Sequence, residues 1–210
     1  VLHWLAVDSG NESSYEDMVN DGDGTPCRRT RSPHDLLFMY TGGTTGMPKG
    51  VMWRHDDLFK VLGAGGNARI NIPPCADMIE LKARTQSEPR TVNMPLPPIM
   101  HGTGLLSAIG AMASGGTCVT LPSRSFDADL ALTEIDKHRV TTVSIVGDAF
   151  ARPIVEALDA SPGKYDFSSV SLISSSGVMW TREVKAGLLR HNENLLLSDG
   201  FSSSEAIGLG

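Results

Sequence analysis

Short apolar runs alternate with helical stretches along residues 35–210 of this 210-residue chain. The runs typical of strands lie at residues 36–40, 92–96, 117–121, 140–146, 170–173 and 194–197. The helical stretches lie at residues 55–64, 102–113, 128–138, 149–160 and 182–191, and Asp127 and Thr181 precede two of them as candidate N-caps. This alternation predicts an α/β fold, a mostly parallel sheet flanked by helices, whose ligands bind beyond the carboxyl ends of the strands.

The beginning of the chain does not follow this alternation. Residues 11–33 are rich in Asp, Gly, Ser and Arg and have little hydrophobic periodicity, which is typical of a linker or surface loop. Residues 71–90 combine two adjacent prolines with mixed charges, and we expect a surface excursion there. The sequence therefore predicts a polar lead-in over residues 1–34 and one α/β subdomain over residues 35–210.

Charge and cysteine content narrow the class of protein. The formal net charge is −6 and no run of Lys or Arg occurs, which argues against binding nucleic acid through a basic face. Cys27, Cys75 and Cys118 are widely spaced without a metal-ligand pattern, which indicates free thiols in a reducing compartment.

The chain has no apolar run of membrane-spanning length and no signal-peptide layout at its start. We expect a cytoplasmic protein, with peripheral contact to a membrane left open.

A loop rich in glycine and threonine follows the first apolar run, which we interpret as a buried strand. Residues 40–51 contain four glycines, three threonines and Lys49. Glycines let backbone N–H groups converge on an anion, hydroxyls add hydrogen bonds, and the lysine adds charge. The pattern predicts a phosphate-binding loop, and its alternative is a surface turn. The Walker A motif is excluded because Pro48 precedes Lys49, and the dinucleotide fingerprint because Thr44 occupies the place of its second glycine.

This loop resembles the signature of the AMP-forming adenylate synthetases, which include acyl-CoA synthetases, luciferases and peptide-synthetase adenylation domains. Their usual form is Tyr-Thr-Ser-Gly-Thr-Thr-Gly-x-Pro-Lys-Gly-Val, and this chain has one hydroxyl fewer. Three further segments resemble motifs of the same family, in its order and at its usual separations. The resemblance implies that residues 35–210 are the ATP-binding part of the large N-terminal domain of an adenylate-forming enzyme.

The second segment, residues 97–104, resembles the family's Pro-x-x-x-His-x-x-Gly motif. The resemblance places His101 at the mouth of an acyl pocket bordered by Gly102 and Gly104, whereas a lone histidine would more often be a helix-capping or core residue. Residues 94–114 contain no Asp or Glu to pair with the ammonium group of an amino acid. An unpaired buried ammonium is costly, so we expect a hydrophobic carboxylic acid as substrate.

The last two segments resemble the family's adenine-binding motifs. Residues 174–179 resemble Ser-Gly-Gly-Ala-Pro, whose backbone lies along the adenine face. Residues 199–205 resemble x-Gly-Tyr-Gly-x-Thr-Glu, so Phe201 would stack on adenine, a contact worth roughly 1–3 kcal/mol per base. Asp199 would accept a hydrogen bond from the adenine amino group. Glu205 takes the place of the Mg²⁺ ligand, although read alone it would be a solvated carboxylate.

The resemblance assigns a role to each of these positions. Thr45, His101 and Glu205 are the implied catalytic residues, and Glu205 is the implied ligand of Mg²⁺. The implied nucleotide-binding residues are Thr41, Gly42, Gly43, Thr44, Thr45, Gly46, Lys49, Ser176, Gly177, Val178, Asp199, Gly200, Phe201, Ser202 and Ser204.

The implied reaction is ATP-dependent activation of a fatty or related acid to an acyl-adenylate, followed by thioester formation with coenzyme A. Residues 50–57 and 176–180 resemble actinobacterial fatty-acyl and steroid-side-chain CoA ligases more narrowly. Two alternatives stay open, a fatty-acyl-AMP ligase that loads a carrier protein and a nucleotide-binding module without catalysis. The chain starts at Val1 and stops soon after Glu205, so we expect an inactive internal fragment that lacks the family's C-terminal domain. The oligomeric state is left open.

Overall fold

The computed structural model describes residues 14–26, 28–42, 46–86, 90–123 and 125–207. The chain forms two compact units, Val1–Ser32 and Pro33–Gly210. In the first unit the described residues form a helix, α1, over Ser14–Asp21. This corrects the expectation of an irregular loop there. Tyr15, Met18 and Val19 recur at helical spacing, but the helix is short and its other residues are polar, so the apolar stripe does not stand out in the sequence.

The second unit holds the remaining elements. Its strands are β1 (Leu36–Thr41), β2 (Lys49–Arg54), β3 (Val92–Pro95), β4 (Thr117–Cys118), β5 (Thr142–Ile145), β6 (Leu172–Ser176) and β7 (Leu196–Gly200). Its helices are α2 (His55–Val61), α3 (Met78–Thr85), α4 (Gly102–Ala113), α5 (Ala128–His138), α6 (Asp148–Ala160) and α7 (Arg182–His191), with a 3₁₀ turn at Ala68–Ile70.

Five strands form a parallel sheet in the order β4-β3-β5-β6-β7, and helices connect them. This confirms the predicted α/β class. The central strand β5 is buried at all four positions, as expected for a strand covered on both faces. Side chains from three helices complete the core, with Ile135 of α5, Ile154 of α6 and Leu188 of α7 at most 1% exposed. Each such burial contributes roughly 1.5–3 kcal/mol.

The first two strands form a separate antiparallel hairpin. The interpretation of residues 36–40 as a buried strand is therefore wrong, because only Met39 is buried while Phe38 and Tyr40 are exposed. Side chains alternate across a strand, and a two-stranded hairpin covers only one of its faces. The sequence also missed β2, because its first residues were assigned to the phosphate loop.

Four helices lie close to where the sequence predicts them, whereas α2, expected to run to residue 64, ends at Val61. The bounds of α4, α5 and α7 are those expected, and α6 begins one residue earlier, at Asp148. Both expected N-caps are confirmed, since Asp127 accepts a hydrogen bond from Leu130 N (3.0 Å) and Thr181 from Val184 N (3.4 Å). Helix α3 lies in the expected surface excursion and was missed, although Asp77 caps it in the same way.

Strands β6 and β7 continue further than their apolar residues. They were expected at residues 170–173 and 194–197 but run to Ser176 and Gly200. The added residues are polar, which ends an apolar pattern but does not end parallel pairing. Both strands therefore carry polar side chains to the carboxyl edge of the sheet.

The described residues include two of the three cysteines and the helices that were considered as possible membrane spans. Cys75 and Cys118 are free thiols, as expected, while Cys27 lies outside the described residues. Burial raises the pKa of the Cys118 thiol, which lowers its reactivity. Across the part of the chain that the structure describes, the helices are too short or too polar to cross a membrane.

Candidate functional site

Three of the four sequence motifs follow strands of the parallel sheet. The histidine segment follows β3, the serine and glycine segment ends β6, and the aromatic segment ends β7. Because these strands are parallel, their carboxyl ends lie at one edge of the sheet. Open α/β sheets bind ligands at that edge. The fold therefore gathers these motifs on one side of the domain.

The serine and aromatic segments are joined side by side. Ser176 pairs with Gly200 at the ends of β6 and β7, and the hydroxyl oxygens of Ser176 and Ser202 lie 2.9 Å apart. After these ends the chain presents two apolar side chains to solvent, Val178 at 61% and Phe201 at 76% exposure. Exposed aromatic and aliphatic side chains that follow two adjacent strand ends suit the binding of a flat, apolar ring.

The turn after β6 depends on a serine that sequence reasoning did not single out. Ser175 is buried, and its hydroxyl accepts a hydrogen bond from Gly147 N (2.9 Å) and donates one to the carbonyl oxygen of Val178 (3.2 Å). Gly177 has a φ of +90°, a conformation that favours glycine. Ser175 thus fixes the turn that contains the predicted adenine-facing residues. The run of three serines carried no sign of which one is buried.

Asp199 has a partner that the sequence did not indicate. Its carboxylate forms an ion pair with the Lys185 ammonium group on α7, and that ammonium group also lies 5.2 Å from the centre of the Trp180 ring. An adenine amino group would share this carboxylate with Lys185. The predicted role of Asp199 in binding adenine stays a prediction.

His101 caps helix α4. Its Nδ1 atom accepts a hydrogen bond from Thr103 N (3.2 Å), and the side chain is exposed. The capping role, one of the two alternatives from the sequence, is therefore present in the structure. The role at the mouth of an acyl pocket stays a prediction.

The two glycines after His101 differ in their surroundings. A Cβ atom at Gly102 would lie 3.3 Å from Met39 Sδ and 3.6 Å from Ser204 Oγ, so the hairpin and the aromatic segment approach α4 there. A Cβ atom at Gly104 would lie only 2.5 Å from the carbonyl oxygen of Pro97. Gly104 is buried against this backbone. Its place at the border of an acyl pocket stays a prediction.

The hairpin supplies one wall of a cleft. Residues 49–53 of β2 and Glu205 line a volume of about 400 Å³. Lys49 is the first residue of β2 and pairs with Thr41, whose hydroxyl lies 3.5 Å from the Lys49 carbonyl oxygen. The lysine predicted to bind phosphate and the carboxylate predicted to bind Mg²⁺ therefore share one cleft.

The loop that joins the two hairpin strands is only partly described. Gly42 is exposed, and Gly46 has a φ of +97°, which only glycine adopts without strain. Gly43, Thr44 and Thr45 lie outside the described residues, so their predicted contacts with phosphate stay predictions.

Two further residues near these motifs escaped the sequence analysis. Trp53 Nε1 donates a hydrogen bond to the carbonyl oxygen of Ser204 (2.8 Å) and so ties the hairpin to the aromatic segment. Arg69, in the 3₁₀ turn, lies beside the end of β7, with Nη2 3.5 Å from a Cβ atom built at Gly200. Neither residue lies in one of the four motifs. Only the folded chain brings them to the edge of the sheet.

The side chains present fit one divalent cation that also binds a phosphate. Within the described ranges, the structure has no cluster of three or more His, Cys, Asp or Glu side chains that would enclose a metal ion. Mg²⁺ commonly takes one or two carboxylates together with substrate phosphate oxygens. An exposed Glu205 in an open cleft that Lys49 also lines matches that ligand set.

The fold and the motif order define the class of protein. The chain matches the family described as AMP-binding enzyme over residues 3–210, and it belongs to that family.

Among its relatives, the medium-chain acyl-CoA ligase Mig of Mycobacterium avium is 37% identical over 98% of this chain and 38% of its own length. A medium/long-chain-fatty-acid–CoA/3-oxocholest-4-en-26-oate–CoA ligase of Mycobacterium tuberculosis is 38% identical over 96% of this chain and 37% of its own length. The chain thus spans little more than a third of these relatives.

Solved structures share the fold. A long-chain-fatty-acid-CoA ligase (FadD1) from Archaeoglobus fulgidus superposes with a TM-score of 0.65 over 96% of this chain and 38% of its own, at 20% identity. The N-terminal domain of FACL13 from Mycobacterium tuberculosis superposes with a TM-score of 0.64 over 91% of this chain and 43% of its own, also at 20% identity. These likenesses show that this chain shares the fold of the matching parts of both structures.

Proposed function

We propose that the natural full-length protein carrying this chain is an AMP-forming acyl-CoA ligase that acts on a hydrophobic carboxylic acid. The observation that carries this proposal is the common cleft of Lys49 and Glu205. A cation and a carboxylate that line one cleft suit a polyphosphate, which needs its charge neutralised before a carboxylate can attack it. The proposed class of acid, a fatty or related acid, is taken from the names of the mycobacterial relatives.

The first reaction step would use ATP as the electrophile. An oxygen of the substrate carboxylate attacks the α-phosphorus. The bond between this phosphorus and the oxygen that bridges to the β-phosphate breaks, and pyrophosphate leaves with the electron pair of that bond. Glu205 would hold Mg²⁺, which neutralises phosphate charge and stabilises the leaving pyrophosphate. Lys49 would steady the outer phosphates, with hydrogen bonds from Thr41, Thr44 and Thr45. The product is an acyl-adenylate.

The second step would transfer the acyl group to coenzyme A. The thiol sulfur attacks the acyl carbon and loses its proton, and AMP leaves as the carbon–oxygen bond breaks. Phe201, Val178 and the backbone of Ser176 and Gly177 would hold the adenine ring through both steps. Asp199 would accept from its amino group.

The substrate class is proposed from the surroundings of helix α4. Residues 94–114 contain no acidic side chain, so an amino acid's ammonium group would have no partner there. The relatives' names refer to medium-chain and long-chain fatty acids and to a steroid side-chain acid. We therefore propose fatty or steroid-derived acids as substrates, with His101 at the pocket mouth.

We further propose that residues 35–210 form the ATP-binding subdomain and that the 210 residues alone are catalytically incomplete. The support is length, because the chain spans 38% of its relative Mig. A cytoplasmic location is proposed with it, since ATP and coenzyme A are available there.

The test is a product assay on the natural full-length protein with ATP, Mg²⁺, coenzyme A and a series of acids. We expect AMP, pyrophosphate and acyl-CoA in equal amounts with fatty or steroid acids, and little product with amino acids. Formation of acyl-AMP that is passed only to a carrier protein would identify the other ligase class. Failure of every acid to yield AMP would contradict the proposal and favour a nucleotide-binding module without catalysis.

A further inference from the structure

Trp53 lies on the face of the hairpin that carries the buried side chain. In the β1–β2 register Leu37 pairs with Trp53, Met39 with Val51, and Thr41 with Lys49. Directly opposed residues share a face, so Trp53 and Lys49 project from the same side of β2 as the buried Met39 projects from β1. Trp53 is half-buried on that side and lines the cleft together with Glu205.

The hydrogen bond of Trp53 acts on the peptide group that precedes Glu205. Its Nε1 atom donates to the Ser204 carbonyl oxygen at 2.8 Å, and that carbonyl belongs to the peptide joining Ser204 to Glu205. A peptide group is planar, so holding its oxygen also orients the N and Cα atoms of Glu205.

The rest of this segment is held from within or from the sheet. Ser203 and Ala206 exchange backbone hydrogen bonds of 3.0 and 3.2 Å, which close a turn around Ser204 and Glu205. Ser202 is tied to Ser176 on β6. Within the described residues, the bond from Trp53 is the hydrogen bond that links strand β2 to residues 201–207.

We propose that Trp53 is a positioning residue, which holds the Ser204–Glu205 peptide so that the Glu205 carboxylate faces Lys49 across the cleft. This inference rests on the proposed function, because it assigns Glu205 a metal that bridges to ATP. Trp53 lines the same cleft, and its proposed effect on the metal acts through the Ser204–Glu205 peptide. It fixes the distance between the two walls of the phosphate site.

A second tryptophan, Trp180, is a control that separates the hydrogen bond of Trp53 from the packing of its ring. Trp180 is 4% exposed, and its Nε1 atom is buried without a hydrogen-bond partner among the residues that the structure describes. The fold thus accommodates an indole whose N–H group makes no hydrogen bond. Removing the N–H group from Trp180 removes no hydrogen bond, whereas removing it from Trp53 frees the Ser204–Glu205 peptide.

The experiment measures the Mg²⁺ concentration for half-maximal ATP–pyrophosphate exchange in the natural full-length protein. Trp53→Phe keeps an aromatic ring and loses the donor, and a benzothienylalanine at position 53 keeps the whole shape with sulfur in place of N–H. Loss of one ordinary hydrogen bond predicts about a threefold to tenfold rise in the Mg²⁺ requirement for both variants. Trp180→Phe should lower the melting temperature without changing the Mg²⁺ requirement.

The possible results distinguish a failure of the proposed role of Trp53 from a failure of the proposed function. An active parent with an unchanged Mg²⁺ requirement in both position-53 variants would overturn the role of Trp53 and leave the proposed function standing. A parent that exchanges no pyrophosphate with any acid would overturn the proposed function, and this inference with it. Equal rises in the Mg²⁺ requirement for Trp53→Phe and Trp180→Phe would mean that both substitutions act through a general loss of packing. This result would also overturn the inference.

Discussion

Lys49 and Glu205 line the same cleft, although Lys49 begins a hairpin strand and Glu205 follows the last strand of the parallel sheet. The two residues are brought together by contacts between elements distant in sequence. Trp53 bonds to Ser204, and Gly102 lies against both Met39 and Ser204 Oγ. The phosphate site proposed here is therefore a property of the assembled fold rather than of the glycine and threonine loop alone.

Replacing Lys49 with Met should raise the KM for ATP while leaving stability unchanged. The side chain is exposed, so the fold loses no buried contact, but the triphosphate loses a positive charge. A charge-assisted hydrogen bond contributes about 1.5–3 kcal/mol, which corresponds to a rise of roughly 10-fold to 150-fold. Lys60→Met is the matched control, because Lys60 is exposed and pairs with Asp56 at 2.7 Å. An equal KM for ATP in parent and Lys49→Met would remove Lys49 from the site.

Replacing Phe201 with Ala should weaken nucleotide binding without unfolding the domain. The ring is 76% exposed, so the fold gains little from it, and stacking on a base contributes roughly 1–3 kcal/mol. Phe201→Tyr keeps the aromatic face and should bind like the parent. Titration calorimetry with AMP measures the binding affinity of both variants. Parent-like affinity in Phe201→Ala would mean that adenine binds elsewhere.

Gly104→Ala and Gly110→Ala should change stability in opposite directions, although both lie in helix α4. A Cβ atom at position 104 would approach the carbonyl oxygens of Pro97 and Pro98 to 2.5 and 2.6 Å, and relieving this overlap should cost about 1–3 kcal/mol. A Cβ atom at position 110 has no neighbour within 4 Å among the described residues, so Ala should stabilise the helix by roughly 0.5–1 kcal/mol. Urea denaturation measures both. A stable Gly104→Ala variant would contradict the close packing of α4 against residues 97–98.

Acid should remove a stabilising contribution from Asp166. The Ser168 hydroxyl and N–H group, together with the Arg139 guanidinium, lower the pKa of this carboxyl from 3.8 to about 2. A carboxyl whose folded pKa is depressed stabilises the native state above its unfolded pKa, and this contribution disappears as the pH falls through the folded pKa. Asp166→Asn should therefore be less stable than the parent at neutral pH, and the two should converge between about pH 4 and pH 2. A difference in unfolding free energy that stays constant down to pH 2 would contradict this assignment.

The parallel sheet was predictable because its strands and helices carry strong local signals. The apolar run of β5 is buried at every position, and the caps Asp127 and Thr181 mark the starts of α5 and α7. The hairpin was harder to predict. Its strand β1 has an apolar sequence, but only Met39 is buried, and an apolar run does not reveal whether a strand is covered on one face or two.

The candidate site was predictable only in part. The motifs single out Lys49, Phe201 and Glu205 as candidates by residue type and spacing, because phosphate, adenine and metal binding require particular side chains, and their roles stay predictions. The contacts that arrange them were not predictable. Trp53 and Lys185 bond to partners in other elements, and their roles depend on which helix and strand lie side by side.

The most direct measurement for the central claim is the Mg²⁺ dependence of ATP–pyrophosphate exchange in Glu205→Gln. The substitution keeps the size of the side chain and removes the charge that would hold the ion. Glu193→Gln is the control, because Glu193 is exposed and precedes the amino end of β7, whereas Glu205 follows its carboxyl end. The account predicts that exchange by Glu205→Gln falls sharply and recovers in part at high Mg²⁺, while Glu193→Gln behaves like the parent. The same rate and the same Mg²⁺ dependence in Glu205→Gln and parent would contradict it.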